Sequence, residues 1–97
     1  MDQAEGIRVT IYDQVYHLKS EAAERNYMRD VAAYVDQRMH AIASRTQTVD
    51  SFRVAVLAAL HIADELMRLR QEHEQLQQNV RTKSQEYSAL LDGVLGQ

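Results

Sequence analysis

Alternating apolar and polar residues open the chain. Over residues 7–12 every second side chain is aliphatic, which is the two-residue period of a strand with one buried face. The alternation returns over residues 15–19. Asp13 and Gln14 separate the two segments, so we predict an antiparallel β-hairpin with its turn there. Because two strands alone are marginally stable in water, the apolar face of this hairpin must pack on another element.

A helical period follows the second strand. Apolar residues recur at spacings of three and four, which predicts an amphipathic helix. Ser20 is a favourable N-cap, and Glu21 and Glu24 would lie in the first turn, where the helix dipole favours acids. We therefore expect this first helix to begin near Ser20 and to cover the hairpin. Its apolar stripe consists of Met28, Val31, Ala32, Val35, Met39 and Ile42.

A second and much longer helix is predicted after a polar linker. Residues 44–50 are polar, and Thr48 or Asp50 can cap the helix that follows. From about Ser51 to Leu91 there is no proline or glycine, so the pattern predicts one helix of about 40 residues, roughly 60 Å long. A chain of 97 residues forms one small domain at most and cannot cover such a helix by itself.

The long helix carries a regular heptad pattern. Ten of its twelve a and d positions are apolar, the exceptions being His73 and Lys83, which is typical of a coiled coil. The a positions are Ala59, Leu66, His73, Val80, Tyr87 and Val94, and the d positions are Ala55, Ile62, Leu69, Leu76, Lys83 and Leu90. Between residues 52 and 69 a second stripe runs beside the first, so this part has apolar surface for two neighbours. We expect one stripe to pack on the chain's own hairpin and first helix, and the other on a second subunit. The second stripe consists of Val56, Leu60, Ala63 and Met67.

These elements define an α+β fold. A small head of a β-hairpin and a helix occupies residues 1–50, and a long C-terminal helix over residues 51–97 forms an oligomeric coiled coil. Residues 51–69 are expected to pack on the head and on a dimer partner, and residues 70–97 to form a stalk. The predicted oligomerisation residues are Val56, Ala59, Leu60, Ile62, Leu66, Leu69, Leu76, Val80, Tyr87 and Leu90.

Composition argues against several kinds of chemistry. The chain has no cysteine, which removes disulfides, thiol nucleophiles and cysteine-based zinc sites. Its four histidines do not pair at the spacing of metal ligands on a helix, and its glycines form no phosphate-binding loop. We therefore expect no enzymatic activity, no cofactor, no metal and no small-molecule substrate.

Charge and hydropathy disfavour nucleic acids and membranes as partners. The net charge is −3, from 11 basic and 14 acidic residues, whereas non-specific nucleic-acid binding needs clustered Lys and Arg. The apolar run over residues 54–63 is far shorter than the roughly 20 residues that cross a bilayer. Residues 1–6 lack the basic start and apolar middle of a secretory signal, so we expect a cytoplasmic location.

One part of the chain is locally basic. Between residues 25 and 53 there are five arginines and three acids, a local net charge of +2 in an acidic protein. This excess can belong to a solvated helix face. It can equally belong to a docking surface for an acidic partner, which charge complementarity would favour.

Three segments of the chain resemble the ZapA family of bacterial cell-division proteins. Residues 53–66, RVAVLAALHIADEL, match the family pattern of an aliphatic run followed by A-A-L-N-I-A-[DE]-E-L, with His61 where Asn is usual. Residues 9–16, VTIYDQVY, resemble the opening hairpin of the family, with Asp13 where Gly is common. Residues 33–39, AYVDQRM, resemble its first-helix signature.

The resemblance implies a function. ZapA-like proteins bind FtsZ, the tubulin-like GTPase of the cytokinetic ring at mid-cell, and they bundle and align its filaments without being enzymes. They also contact ZapB, a coiled-coil protein. Family members form homodimers, and these associate through their coiled coils into antiparallel homotetramers with heads at both ends. The resemblance implies the same partners, assembly and location for this chain.

We expect FtsZ to bind the arginine side of the head, because filament surfaces and tails of FtsZ-like proteins are generally acidic. The candidate residues are Arg38 and Arg45 first, followed by Arg25, Arg29, Lys19 and Arg53. The alternative function is that of a coiled-coil adaptor dimer that regulates another protein partner, such as a transcription regulator. An adaptor needs one functional end, whereas a filament crosslinker needs two.

Overall fold

The structure, a computed structural model, describes residues 6–96. The order of elements confirms the α+β fold predicted from sequence, a hairpin followed by a helix and a long C-terminal helix, while coiled-coil assembly stays a prediction. Two compact units divide the chain, Met1–Ile62 and Ala63–Gln97. The elements are β1 (Gly6–Ile11), β2 (Gln14–Lys19), a 3-10 turn (Ala22–Glu24), α1 (Arg25–Thr46) and α2 (Ser51–Leu95).

The two strands form an antiparallel hairpin with one face on α1. Ile7 lies opposite Leu18, and Val9 lies opposite Tyr16. Ile7 and Val9 are buried and pack in one cluster with Ala32 of α1. The intervening residues of β1 are exposed, so the strand alternates as its sequence predicts.

The hairpin turn lies one residue earlier than predicted. Its two central residues are Tyr12 and Asp13, because Ile11 pairs with Gln14. Both have positive φ angles, 50° and 66°, which is the signature of a type I′ turn. The prediction of a turn at Asp13 and Gln14 is therefore wrong. A tyrosine in the left-handed region is unfavourable, and nothing in the neighbouring sequence indicates it.

A carboxylate on α1 holds this turn. The backbone N–H of Tyr12 donates to Asp36 Oδ1 at 2.7 Å. The Tyr12 ring lies against the His40 ring, with centroids 5.1 Å apart, and His40 Nε2 is 3.3 Å from the same Asp36 oxygen. A hydrogen bond to an ionised acceptor is stronger than one between neutral groups. Asp36 therefore offsets part of the unfavourable backbone energy of Tyr12.

Helix α1 begins later than predicted. Glu21 is still extended, with φ −68° and ψ 152°, and Ala22–Glu24 form a 3-10 turn before α1 starts at Arg25. The hydroxyl of Ser20 donates to the carbonyl oxygen of Glu21 at 3.3 Å. Ser20 is therefore not the N-cap of α1. Its hydroxyl bonds the adjacent residue, and the N-cap position is occupied by Glu24.

The connection between the helices is short and capped at both ends. Gln47 adopts a left-handed conformation after Thr46, and its N–H donates to the carbonyl oxygen of Ala43 at 2.9 Å. This is a common way to end a helix. The N–H of Phe52 donates to Asp50 Oδ1 at 3.1 Å, which confirms Asp50 as a cap of α2. The linker is shorter than predicted, since α1 continues through Thr46.

A second cluster joins α1 to α2. Met39 of α1 packs with Val54 and Ala58 of α2, and all three are buried. Val54 is 0% exposed and Ala58 is 2% exposed. Ile42 and Tyr12 are partly buried against the same cluster, so the hairpin turn and both helices meet there.

The face of α2 that packs on α1 is not one of the two predicted stripes. Ala55 and Ala59 of the heptad stripe are exposed, and so are Val56 and Leu60 of the second stripe. The expectation that one of these stripes packs on the chain's own head is corrected accordingly. Val54 and Ala58 are the buried residues of this face, and Leu57 and Ile62 are half-buried. The chain itself therefore leaves most of both stripes exposed.

Removing the Asp36 carboxylate should destabilise the head. We expect Asp36→Ala to lower the free energy of unfolding by about 1–2 kcal/mol, because the Tyr12 N–H loses a charged acceptor. Asp36→Asn should lower it by less, since the amide oxygen can still accept. Thermal and urea denaturation at matched protein concentration measures both. Equal stability of Asp36→Ala and the parent would contradict the role assigned to this carboxylate.

Glycine in the turn should stabilise the hairpin. Asp13 has φ 66°, a conformation that glycine adopts without steric cost, so Asp13→Gly should raise the free energy of unfolding by about 0.5–1 kcal/mol. Gln14 starts β2, and the control variant Gln14→Gly should lower it by a similar amount. The same denaturation experiments compare the two variants. A Gln14→Gly variant more stable than Asp13→Gly would support a turn at Asp13 and Gln14, as the sequence predicted.

Candidate partner-binding surfaces

The six predicted FtsZ-binding residues do not form one surface. Arg38 and Arg45 are seven residues apart on α1, so they lie two turns apart on the same side of the helix. Arg25 and Arg29 lie on a different side, about 170° around the helix axis. The remaining two are on other elements. They are Lys19, the last residue of β2, and Arg53, in the first turn of α2.

Arg38 is held by a neighbouring tyrosine. Its Nη2 donates to the hydroxyl of Tyr34 at 2.8 Å, and its guanidinium carbon lies 4.8 Å from the centroid of that ring. This is the geometry of a cation–π contact. Arg38 is half-buried, so its guanidinium is fixed in orientation, and part of its hydrogen-bonding capacity is used inside the protein.

Arg45 is more accessible than Arg38. It is exposed in the last turn of α1, where the helix dipole favours a cation. None of Arg29, Arg45 and Arg53 forms an ion pair with a residue between 6 and 96. Arg25 is half-buried, and its Nε has no hydrogen-bond partner in the described part of the chain. The exposed guanidinium of Arg45 can therefore pair with a carboxylate through two parallel hydrogen bonds.

Two basic residues of the head are absent from the predicted set. Arg8 and His17 lie directly opposite each other in the hairpin, and both are exposed. A search for clusters of charge along the sequence misses Arg8 and His17, because they are nine positions apart. The alternation of the two strands, however, places Arg8, His17 and Lys19 on one face, so the signal was available in the sequence.

The predicted oligomerisation residues are mostly exposed. Ile62 is half-buried and Ala59 is exposed, and the other eight are between 44% and 69% exposed. Large apolar side chains in a continuous row are unfavourable in water and mark a binding surface. The eight residues are Val56, Leu60, Leu66, Leu69, Leu76, Val80, Tyr87 and Leu90.

The second unit has almost nothing of its own to pack on. Over residues 63–96 every side chain is exposed except that of Glu65, which is half-buried. An ion pair joins Arg68 Nε to Asp64 Oδ2 at 3.0 Å, but an exposed pair of this spacing contributes only about 0.3–0.5 kcal/mol. In the described part of the chain, neither helix has a stretch long and apolar enough to cross a membrane.

Taken together, these observations define a small α+β protein with a hairpin head and a long helix that carries a row of exposed apolar side chains. The family model described as Cell division protein ZapA matches residues 7–92 of the sequence. The chain therefore belongs to the ZapA family of cell-division proteins, which confirms the resemblance carried by its three segments.

Related proteins and structures agree with this membership. Cell division protein ZapA of Bacillus thuringiensis (strain Al Hakam) is 32% identical over 80 residues, 82% of this chain and 89% of that protein. The solved ZapA mutant dimer from Geobacillus stearothermophilus has a TM-score of 0.61 and 32% identity, covering 78% of this chain and 87% of its own. A solved structure described as an unknown conserved bacterial protein from Pseudomonas aeruginosa PAO1 has a TM-score of 0.73 and 28% identity, with coverage of 91% and 97%.

A charge in the exposed row of α2 should weaken self-association. Leu76 occupies a d position, so Leu76→Glu would bury an unpaired carboxylate in a helix–helix seam, at a cost of about 3–5 kcal/mol per assembly. Gln78→Glu, at the outward f position, is the matched control and should leave assembly intact. Analytical ultracentrifugation should give a lower mass for Leu76→Glu alone. An unchanged mass for Leu76→Glu would show that Leu76 does not lie in the seam between helices.

Proposed function

We propose that this protein binds FtsZ and crosslinks its filaments at the bacterial division ring, without catalysing a reaction. It works in the cytoplasm at mid-cell as homodimers that associate into homotetramers, and ZapB is a further partner. The observation that carries the proposal is the uncovered apolar row of α2 in a chain of the ZapA family. Such a row favours assembly, and assembly is what a crosslinker requires.

Self-association has support from the row itself and from a relative. A two-helix seam covers one apolar stripe, whereas Val56 and Leu60 lie beside the heptad stripe and are exposed as well. More than one helix can therefore pack on this part of α2. The Geobacillus stearothermophilus neighbour is described as a ZapA dimer. We infer that this chain also forms a dimer and that the dimers pair through the rest of the row.

Filament binding has support from charge. Arg45 presents an exposed guanidinium that is not ion-paired to any described residue, in a position suited to an acidic filament surface. A single exposed charge pair is weak. Linking several heads in one assembly raises the effective concentration of the second contact, so that weak contacts act together. The proposed crosslinking therefore depends on both the basic head and the apolar row.

Sedimentation at two speeds tests the function. Filaments of FtsZ with GTP pellet at high speed, and bundles pellet at low speed. The parent protein should pellet with filaments at high speed and should bring FtsZ down at low speed. Leu76→Glu should still pellet with filaments but should lose the low-speed effect, because binding and assembly lie on different surfaces. Absence of the parent protein from both pellets would refute the proposal and leave the adaptor function standing.

Charge reversal at Arg45 should weaken filament binding. We expect Arg45→Glu to raise the apparent Kd for filaments about three- to tenfold at moderate salt, since an attractive contact becomes repulsive. Arg81→Glu is the matched control: it changes net charge equally at an exposed position of α2 outside the heptad row. High-speed co-sedimentation over a range of protein concentrations measures both. Equal Kd values for the two variants would exclude Arg45 from the binding surface.

A further inference from the structure

The face of the hairpin turned away from α1 carries a basic surface. Directly opposite residues of an antiparallel pair share a face, and Ile7 and Val9 are buried on the inner face. Arg8 therefore lies on the outer face with His17 opposite it, and Lys19 follows two residues later on the same strand. Directly opposite Cβ atoms are about 5 Å apart, and diagonal neighbours about 7–8 Å. We name Arg8, His17 and Lys19 the outer hairpin surface.

No described acid forms an ion pair with this surface. The other side chains on the same face, Thr10 and Val15, are neutral and pair with each other. Asp13 lies in the turn, and three residue pairs of the hairpin separate it from Arg8 and His17. The side chains of Arg8, His17 and Lys19 make no hydrogen bond or ion pair with any other residue between 6 and 96. Arg8 and Lys19 are therefore two uncompensated cations on one face, and both are accessible to an anion.

The outer hairpin surface is distinct from the α1 arginines. Arg38 and Arg45 belong to α1, which packs on the inner face of the hairpin. One ligand group cannot contact both faces of a sheet at the same point, so the two basic surfaces can be occupied at the same time. Charges along the sequence had grouped Lys19 with the α1 arginines, and the strand register places it with Arg8 instead.

We infer that the outer hairpin surface binds an acidic protein segment, a run of Asp and Glu residues, and is a second contact point for the filament. The filament assignment rests on the proposed function. Arginine pairs with carboxylates through its planar fork. Three basic groups in a chain of net charge −3 are too few for nucleic acid, where affinity grows with each phosphate neutralised. Anionic membranes are bound by clusters of about four to eight basic residues.

Neutral variants test the surface without weakening the strands. Arg8→Thr combined with Lys19→Thr removes two charges and keeps residues that favour strands. Arg68→Gln combined with Arg81→Gln removes the same charge from exposed positions of α2. We expect the first pair to raise the Kd for FtsZ filaments about three- to tenfold and the second to leave it unchanged. Adding Arg45→Glu to the first pair should give a further, multiplicative loss, because distant sites act independently.

A direct binding experiment separates failure of the surface from failure of the function. Fluorescence anisotropy with a labelled oligoglutamate should show tight binding to the parent at low salt and a severalfold loss for the hairpin variant. Unchanged binding of both filaments and oligoglutamate to the hairpin variant overturns the inference, while the sedimentation of the parent still decides the proposed function. If the hairpin variant loses more affinity for a DNA duplex or for phosphatidylserine vesicles than for oligoglutamate, the assignment to an acidic protein segment is overturned.

A second variant covers the case in which the double variant fails to fold. Thr10→Glu places an acid on the same face, beside Arg8 and diagonal to His17, and removes no basic residue. It should weaken the binding of oligoglutamate and of filaments by repulsion and by pairing with Arg8. Circular dichroism and thermal denaturation establish that each variant is folded. A folded Thr10→Glu variant that binds both probes as the parent does would also overturn the inference.

Discussion

The head depends on the contact between α1 and α2 at Met39, Val54 and Ala58. Val54 is the one large side chain that this structure encloses fully among its described residues, and the partly buried Ile11 and Tyr12 reach the same cluster from the hairpin. The short capped linker brings the start of α2 back along α1, so that this packing forms between segments close in sequence. Close packing at such a point tolerates little change in volume.

Beyond that contact, the chain buries little of its own surface. Six hydrophobic residues of the described part are buried, and all belong to the two clusters of the head. Small domains bury a smaller fraction of their surface than large ones and often need a partner for stability. The exposed apolar row of α2 therefore has an energetic meaning as well as a functional one, because folding and association draw on the same hydrophobic effect.

The sequence predicted most of the fold, and the parts it missed depend on contacts distant along the chain. Strand alternation and helical periodicity placed β1, β2, α1 and α2 because those signals are local. The turn was misplaced because its conformation is held by Asp36, 24 residues away. The buried face of α2 was missed because Val54 and Ala58 pack on α1, whereas the heptads follow another face. Of the candidate site, the residue types and the shared face of Arg8, His17 and Lys19 were visible in the strand alternation, whereas the direct pairing of Arg8 with His17 required the strand register.

The turn at Tyr12 and Asp13 has a consequence for the order of folding. A hairpin with Asn-Gly in its turn can close by itself, since those residues favour the left-handed region. This turn lacks glycine and uses Asp36 of α1 as an acceptor, so its closure becomes favourable only after α1 has formed. Helices also form faster than hairpins. We therefore expect the helical part of the head to be structured in the folding transition state and the hairpin to join it afterwards, although the hairpin comes first in the chain.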